Sequence, residues 1–375
     1  MTPVRICMRL NNVFTHDLRV SREAGALVEV GYEVTVVADY RPGRELAEEE
    51  MVGGVRVLRV AKTSRIPYWS LVRPLLDEHA DIYHAHDIDS LFPCLAAARL
   101  GRRGARVIYD SHELWSGHAA DKLHTRRRAL VRFEGTMLRA SDGLITASPA
   151  YTEAMISRHR YGGPARTVLN VPAFRSEVEL QPYWAARDAD DRVRVAAIGV
   201  FQYGRGAIPL IQSLAHLPEE YVVDLVGPVP QPAYEALMRA AAAPFGDRVR
   251  FVGAIPADEV IPRLAASHIS AVLIEPLSES YRLTAPNKLF DSLMAGTPIV
   301  GSDMGVIGAV VRATGAGEVC DVSNPADIAR AVRSADDNRT AYRRAARAAA
   351  HTYSWESEKQ HLLSLYAELA GGPQC

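Results

Sequence analysis

The residues best suited to chemistry gather in APNKLFDSLMAGTPIVGSD (285–303). Pro286 near the start and Gly296 before Pro298 mark the two ends of a helix. Leu289, Phe290, Leu293 and Met294 give it an apolar face to bury. Lys288 and Asp291 are three residues apart and therefore neighbours on another face. Backbone N–H groups at a helix start favour an anion, and Lys288 adds a full positive charge. Asp291, nearly one turn further in, is placed to accept hydrogen bonds from a ribose diol. A phosphate-binding lysine beside a diol-binding carboxylate describes a nucleotide-sugar site. On spacing alone the pair reads equally well as an exposed ion pair worth little.

A second anion-binding feature is IGVFQYGRGAIPLIQSL (198–214), in which Gly199, Gly204 and Gly206 surround Arg205. Small residues in a strand-to-helix loop let the backbone approach a pyrophosphate. The loop is neither GxGxxG nor GxxxxGK[ST], which speaks against an NAD site and a P-loop. Taken alone it is an ordinary βα turn. Paired with Lys288 it makes a two-cation clamp for a diphosphate leaving group.

These groups need strands and helices to place them, and the chain alternates apolar strand-like runs with helical patterns throughout. The first half predicts strands at 4–10, 32–39, 55–61, 81–87, 105–112 and 142–149, rich in Val and Ile as doubly buried strands are. The rhythm lapses between Val171 and Asp191, where Pro172, Pro182 and RDADDR (187–192) suggest an interdomain linker. It resumes at 193–199, 221–227, 248–255, 269–276 and 297–303. The expected organisation is α/β. It has a Rossmann-like first domain (1–172), a linker (173–191), a Rossmann-like nucleotide-sugar domain (192–352) and a C-terminal helix (353–375) returning to the first. Two doubly wound domains of this kind face a central cleft, at the carboxyl ends of their strands.

Composition agrees. At 375 residues the chain suits two α/β domains, and 48% hydrophobic with 23% charged residues is globular. A net charge of -1 supplies no basic field for nucleic acid. Cys7, Cys94, Cys320 and Cys375 have no metal-ligand spacing and read as buried free thiols of a reducing compartment. The apolar run at the N-terminus is too short for a signal peptide, and no stretch of about 18 apolar residues is present. The expected location is the cytoplasm.

The order GRG after a strand, then EP, then PNKLFD-x-x-x-AG-x-PIV, resembles the family-four retaining glycosyltransferases of GT-B fold. NN-x-FTHDLRVSREA (11–24), HAHD (84–87), YDSHELW (109–115) and YSW (353–355) are similar to a bacterial branch of that family. The resemblance covers essentially the whole chain. It implies that Lys288 and Arg205 hold the donor diphosphate and that Asp291 binds the ribose, here an aspartate where glutamate is usual. Leu283 stands where many relatives carry a second glutamate on the loop that holds the donor sugar. The implied donor contacts are then Gly204, Arg205, Tyr281, Arg282, Leu283, Asn287, Lys288 and Asp291, with backbone N–H groups of the 275–284 loop contributing and Glu275 as a further candidate. His112 matches a position near the transferred sugar and joins Arg205 and Lys288 as a catalytic candidate. Asn12, Asp17, His86, Asp87 and Glu113 are the acceptor-side candidates, while His84 reads as structural. His16, Asp17 and Arg19 follow the first strand, and Asp17 with Arg19 reads as a local ion pair.

The implied reaction moves a sugar from a UDP- or GDP-type donor to an unidentified acceptor with retention. No metal or other cofactor is expected, although Asp87-Ile88-Asp89 forms a DxD triplet of the kind that binds metal in another transferase fold. A nucleotide-sugar epimerase of the same fold, or a non-catalytic partner subunit, are the rival readings. An epimerase would change the donor without an acceptor. KLHTRRRALVRFEGTMLRA (122–140) is a basic helix whose Leu130, Val131, Phe133 and Leu138 are expected to face the core, so membrane association is not favoured.

Overall fold

The computed structural model describes residues 3–15, 17–40, 43, 46–61, 69–117 and 124–371. They form two compact units, residues 1–169 with 359–375, and residues 170–358. His16, Lys122 and Cys375 lie outside the described residues.

The first unit is built on eight strands: β1 Arg5–Arg9, β2 Glu33–Asp39, β3 Glu49–Val52, β4 Val55–Val60, β5 Ile82–His86, β6 Arg106–Ser111, β7 Gly143–Thr146 and β8 Ala165–Thr167. Their order is β3-β4-β2-β1-β5-β6-β7-β8, and all pairs except β3–β4 are parallel. The strand order reverses at the β1–β5 pair, so the carboxyl ends of β1 and β5 open at a switch point. The helix Leu18–Glu29 follows β1, with Asp17 as its N-cap. The chain returns at its end as the helix Trp355–Leu369, which buries Leu362, Leu365 and Tyr366.

The second unit has six strands: β9 Val193–Ile198, β10 Tyr221–Val226, β11 Val249–Gly253, β12 Ile269–Val272, β13 Ile299–Ser302 and β14 Gly317–Cys320. They are all parallel in the order β11-β10-β9-β12-β13-β14, the doubly wound arrangement with its switch point between β9 and β12. Val195, Leu225, Ile269 and Val300 fill its core with apolar residues of the flanking helices.

Two differences from the sequence reading stand out. Residues 177–188, within the stretch read as a linker, form a helix with a Ser176/Glu179 capping box. Its Leu180 and Trp184 pack on Ala196, Ile198 and Ala295 of the second unit. In the basic helix His124–Leu138, Leu138 is buried, but Leu130 is 57% and Phe133 49% exposed. The core takes Glu134 instead, whose carboxylate is bonded to Tyr109 and paired with His159. Among the described residues no helix is long and apolar enough to cross a membrane. Cys7, Cys94 and Cys320 are buried free thiols.

Candidate functional site

In the second unit the candidate groups come from the ends of β9 and β12. The loop after β9 needs glycine at two points. Gly204 has φ +83°, and a Cβ there would lie 2.6 Å from the Tyr281 ring. Gly206 has φ +67°, and a Cβ there would lie 2.5 Å from the Leu273 Cβ. The Glu275 N–H donates to the Gly204 carbonyl at 2.9 Å, tying this loop to the chain leaving β12. Beyond β12 a short helix, Glu279–Leu283, is capped by Ser278, whose Oγ accepts from the Tyr281 N–H. Tyr281 thereby faces the glycine loop, where its hydroxyl accepts from Gln202 Nε2 at 2.9 Å. The Arg205 guanidinium lies over its ring, 4.9 Å from the centroid. Arg282 is exposed and donates to the Pro276 carbonyl, and Leu283 is half-buried.

The helix Asn287–Ala295 follows. Pro286 is its N-cap and offers no side-chain acceptor, and in the first turn the Leu289 N–H bonds back to the Pro286 carbonyl at 3.0 Å, which leaves the Asn287 and Lys288 N–H groups as the donors without a side-chain cap. Leu289, Phe290, Leu293 and Met294 are fully buried, as the apolar face predicts. Gly296 closes the helix in the left-handed conformation, with φ +68°. Asn287 is exposed, while Lys288 and Asp291 are half-buried. Burial, and then the charge of Arg205, pull the Lys288 ammonium down to about 7. Among the described residues no carboxylate pairs with Lys288 or Arg205, and the buried Nε of Arg205 has no acceptor. Two cations held together against their repulsion, beside a helix start with no side-chain cap, form a site for a polyanion.

In the first unit the candidates sit at the carboxyl ends of β5 and β6. His112 follows β6 and is 22% exposed. Its Nε2 lies 3.2 Å from Asp110 Oδ2, and its Nδ1 3.6 Å from Asp87 Oδ2. Its backbone N–H donates to Asp87 Oδ1 at 3.0 Å. Asp87 is held at φ 60°, ψ 169°, a conformation costly for any residue but glycine. Burial opposes a charged imidazole, but Asp110 and then Asp87 outweigh it and push His112 up to about 9. Asp110 is fully buried, which raises its carboxyl, yet Arg19 and His112 overcome this and hold it well below the usual range.

The other acceptor-side candidates take different positions from those expected. His86 is 2% exposed, with Nδ1 3.2 Å from His112 Nε2, so it supports His112 rather than lining a surface. Burial, with His84 beside it, keeps its ring neutral. Asn12 and Asp17 bond to each other at 2.8 Å, and Asp17 also caps the helix Leu18–Glu29. Glu113 is exposed, and its carbonyl accepts from Ser111 Oγ. Arg19 does not pair with Asp17. It is buried and bonds both Asp110 oxygens, at 3.0 and 2.8 Å, with Glu23 also 3.0 Å away. His84 is structural, bonded through Nδ1 to the Tyr366 hydroxyl at 2.7 Å. Glu23 and Asp110 are the groups a motif reading passes over, and Arg19 is the one it gives the wrong partner. Their signal is a charged residue, Asp110, inside the apolar run of β6, which demands a buried partner.

Glu23, His84, His86 and Asp110 bring ligand-type atoms within 4.8 Å of one another. Arg19 already sets a fixed guanidinium against both carboxylates, and that charge repels a cation at their centre. The group is therefore an ion-paired cluster about Arg19 and Asp110, in which both Glu23 oxygens, His84 Nε2 and His86 Nε2 have no hydrogen-bond partner among the described residues, and burial raises the Glu23 carboxyl well above its usual range against the pull of Arg19.

Comparison with known proteins bears on both units. Residues 17–173 match the family model described as "Glycosyl transferase 4-like domain", and residues 192–338 match "Glycosyl transferases group 1". The chain is similar to a glycogen synthase of Mycobacterium tuberculosis, 23% identical over 92% of this chain and 87% of the relative. It is also similar to a D-inositol 3-phosphate glycosyltransferase of Xylanimonas cellulosilytica, 27% identical over 63% of this chain and 59% of that one. In fold it is similar to sucrose-phosphate synthase from Thermosynechococcus elongatus, with a TM-score of 0.77, 17% identity, and 98% and 99% of the two chains covered. It is likewise similar to the Anabaena HepE protein in complex with UDP-glucose, with a TM-score of 0.76, 15% identity, and 98% and 99% covered.

Proposed function

The chain belongs to the family-four glycosyltransferases of GT-B fold, and on that premise we propose that it transfers a sugar from a UDP- or GDP-type donor with retention and without a metal. As a nucleotide-sugar glycosyltransferase it must hold a diphosphate that leaves. The observation that carries this reading is the pair Lys288 and Arg205, two cations with no carboxylate partner among the described residues beside an uncapped helix start.

Lys288, Arg205 and the first-turn N–H groups hold the diphosphate and stabilise the charge that grows on it. Gly204 and Gly206 let the backbone approach, and Tyr281 orients Arg205. Asp291 accepts from the ribose diol. Asn287, Arg282 and Leu283 line the donor, and His112 stands beside the transferred sugar with Asp87 and Glu113 toward the acceptor. In a front-face transfer the acceptor oxygen bonds to the anomeric carbon as the bond to the diphosphate breaks. The acceptor proton passes to the departing phosphate oxygen.

The test is thermal unfolding against UDP, GDP, ADP and dTDP in EDTA. UDP comes first, because HepE has been solved with UDP-glucose. A nucleotide at about 100 times its Kd stabilises the fold by about 2.7 kcal/mol. The expected result is a shift for UDP or GDP that Lys288→Ala abolishes. No shift with any of the four overturns the reading, and a shift that needs a divalent ion overturns its metal-free part.

A further inference from the structure

Asp110 is the centre of a closed set of charges. Its Oδ2 lies 3.0 Å from Arg19 Nε, 3.2 Å from His112 Nε2, 3.3 Å from His86 Nδ1 and 3.7 Å from His84 Nε2. His112 is therefore faced by Asp110 from β6, by Asp87 from the turn after β5, by His86 from β5, and by Arg19 and Glu23 from the helix Leu18–Glu29 behind. His84 stacks on His86 with ring centroids 4.2 Å apart. Each ring nitrogen of His112 looks at a carboxylate, and a neutral imidazole has only one N–H to offer.

Counting charges gives the same answer. Arg19 and His112 as cations balance Asp110 and Asp87 as anions, provided that Glu23 keeps a proton and both buried histidines of β5 stay neutral. A neutral His112 would leave this buried set with a net negative charge, which a low-dielectric interior resists.

We propose that Asp110 is a positioning residue that holds His112 as an imidazolium, so that His112 meets the sugar as a fixed positive charge and not as a base. This rests on the reading of His112 as a group beside the transferred sugar. The consequence for the reaction is specific: with His112 already protonated, the acceptor proton has the leaving diphosphate as its destination.

The experiment is a pH titration of the full chain labelled with 15N-histidine, followed by the ring-nitrogen shifts. The His112 signal is assigned by its loss in His112→Gln. The expected result is the imidazolium pattern at pH 7.5, with deprotonation only near pH 9. In Asp110→Asn the midpoint is expected to fall by at least one unit. If that variant does not fold, Asp87→Asn, which removes the partly exposed carboxylate, is expected to lower the midpoint in the same direction. A wild-type His112 that is neutral at pH 7.5 overturns the proposal. So does a midpoint unmoved in the folded variant measured. Nucleotide binding is a separate readout: a chain that binds none of the four nucleotides while His112 stays protonated sinks the donor-site reading and leaves this one standing.

Discussion

The guanidinium of Arg205 lies over the ring of Tyr281, 4.9 Å from its centroid, while its Nε finds no acceptor. The aromatic face steadies a charge that no carboxylate among the described residues neutralises. That unneutralised charge acts in turn on Lys288. With burial it favours the neutral amine, down to about 7.

Diphosphate binding should therefore be coupled to proton uptake. At pH 8 the free chain carries mostly neutral Lys288, and a bound diphosphate restores the ammonium. Calorimetric titration with UDP or GDP in buffers of different ionisation enthalpy should show uptake approaching one proton per nucleotide at pH 8 and falling toward zero near pH 5.5. The uptake should vanish in Lys288→Met. Equal, negligible uptake at both pH values would count against the clamp.

Stability against pH should carry two opposed contributions. His112 is raised in the folded chain, so its contribution is fully present below about 6.5, the ordinary histidine value, and is lost as pH rises through about 9. Lys288 is depressed, so its cost is full below about 7 and is relieved on going toward its ordinary value of about 10.4. Subtracting the urea-derived stability of His112→Gln from that of the wild type isolates the first. The difference should shrink between pH 6.5 and 9, and growth in that window would contradict the carboxylate pairing of His112.

Gly206→Ala should destabilise the chain by about 1–3 kcal/mol, because φ is positive there and the new methyl meets the Leu273 Cβ, which cannot swing away. The urea midpoint should fall at unchanged slope, and nucleotide affinity should fall with it. An unaffected midpoint would mean that the loop after β9 relaxes freely.

Arg19→Met should cost about 3–5 kcal/mol, since it strands the buried carboxylate of Asp110 without its guanidinium. Chemical denaturation should report this as a lower midpoint. Loss below 1 kcal/mol would show that His112 alone satisfies Asp110.

Much of this protein could be read along the chain. Parallel strands buried on both faces leave continuous apolar runs, so β1, β2, β9 and β10 were legible within a residue or two. The helix Asn287–Ala295 announced itself through Pro286, its apolar face and Gly296, and Lys288 with Asp291 came with it. Those signals are local. β3 is a charged edge strand, β8 has three residues, and β14 begins at Gly317, where a Cβ would press on the Ile299 carbonyl, so none of them leaves a buried apolar run. The tertiary structure alone decided that Arg19 leaves its neighbour Asp17 for Asp110, 91 residues away, and that Tyr366 reaches His84 from 282 residues away. It also decided that His86 is enclosed while His112 keeps an exposed edge. Periodicity reports which face of an element is apolar, but the partner of a buried charge is set by which strand ends the topology brings together, and that pairing leaves no periodic trace in the sequence.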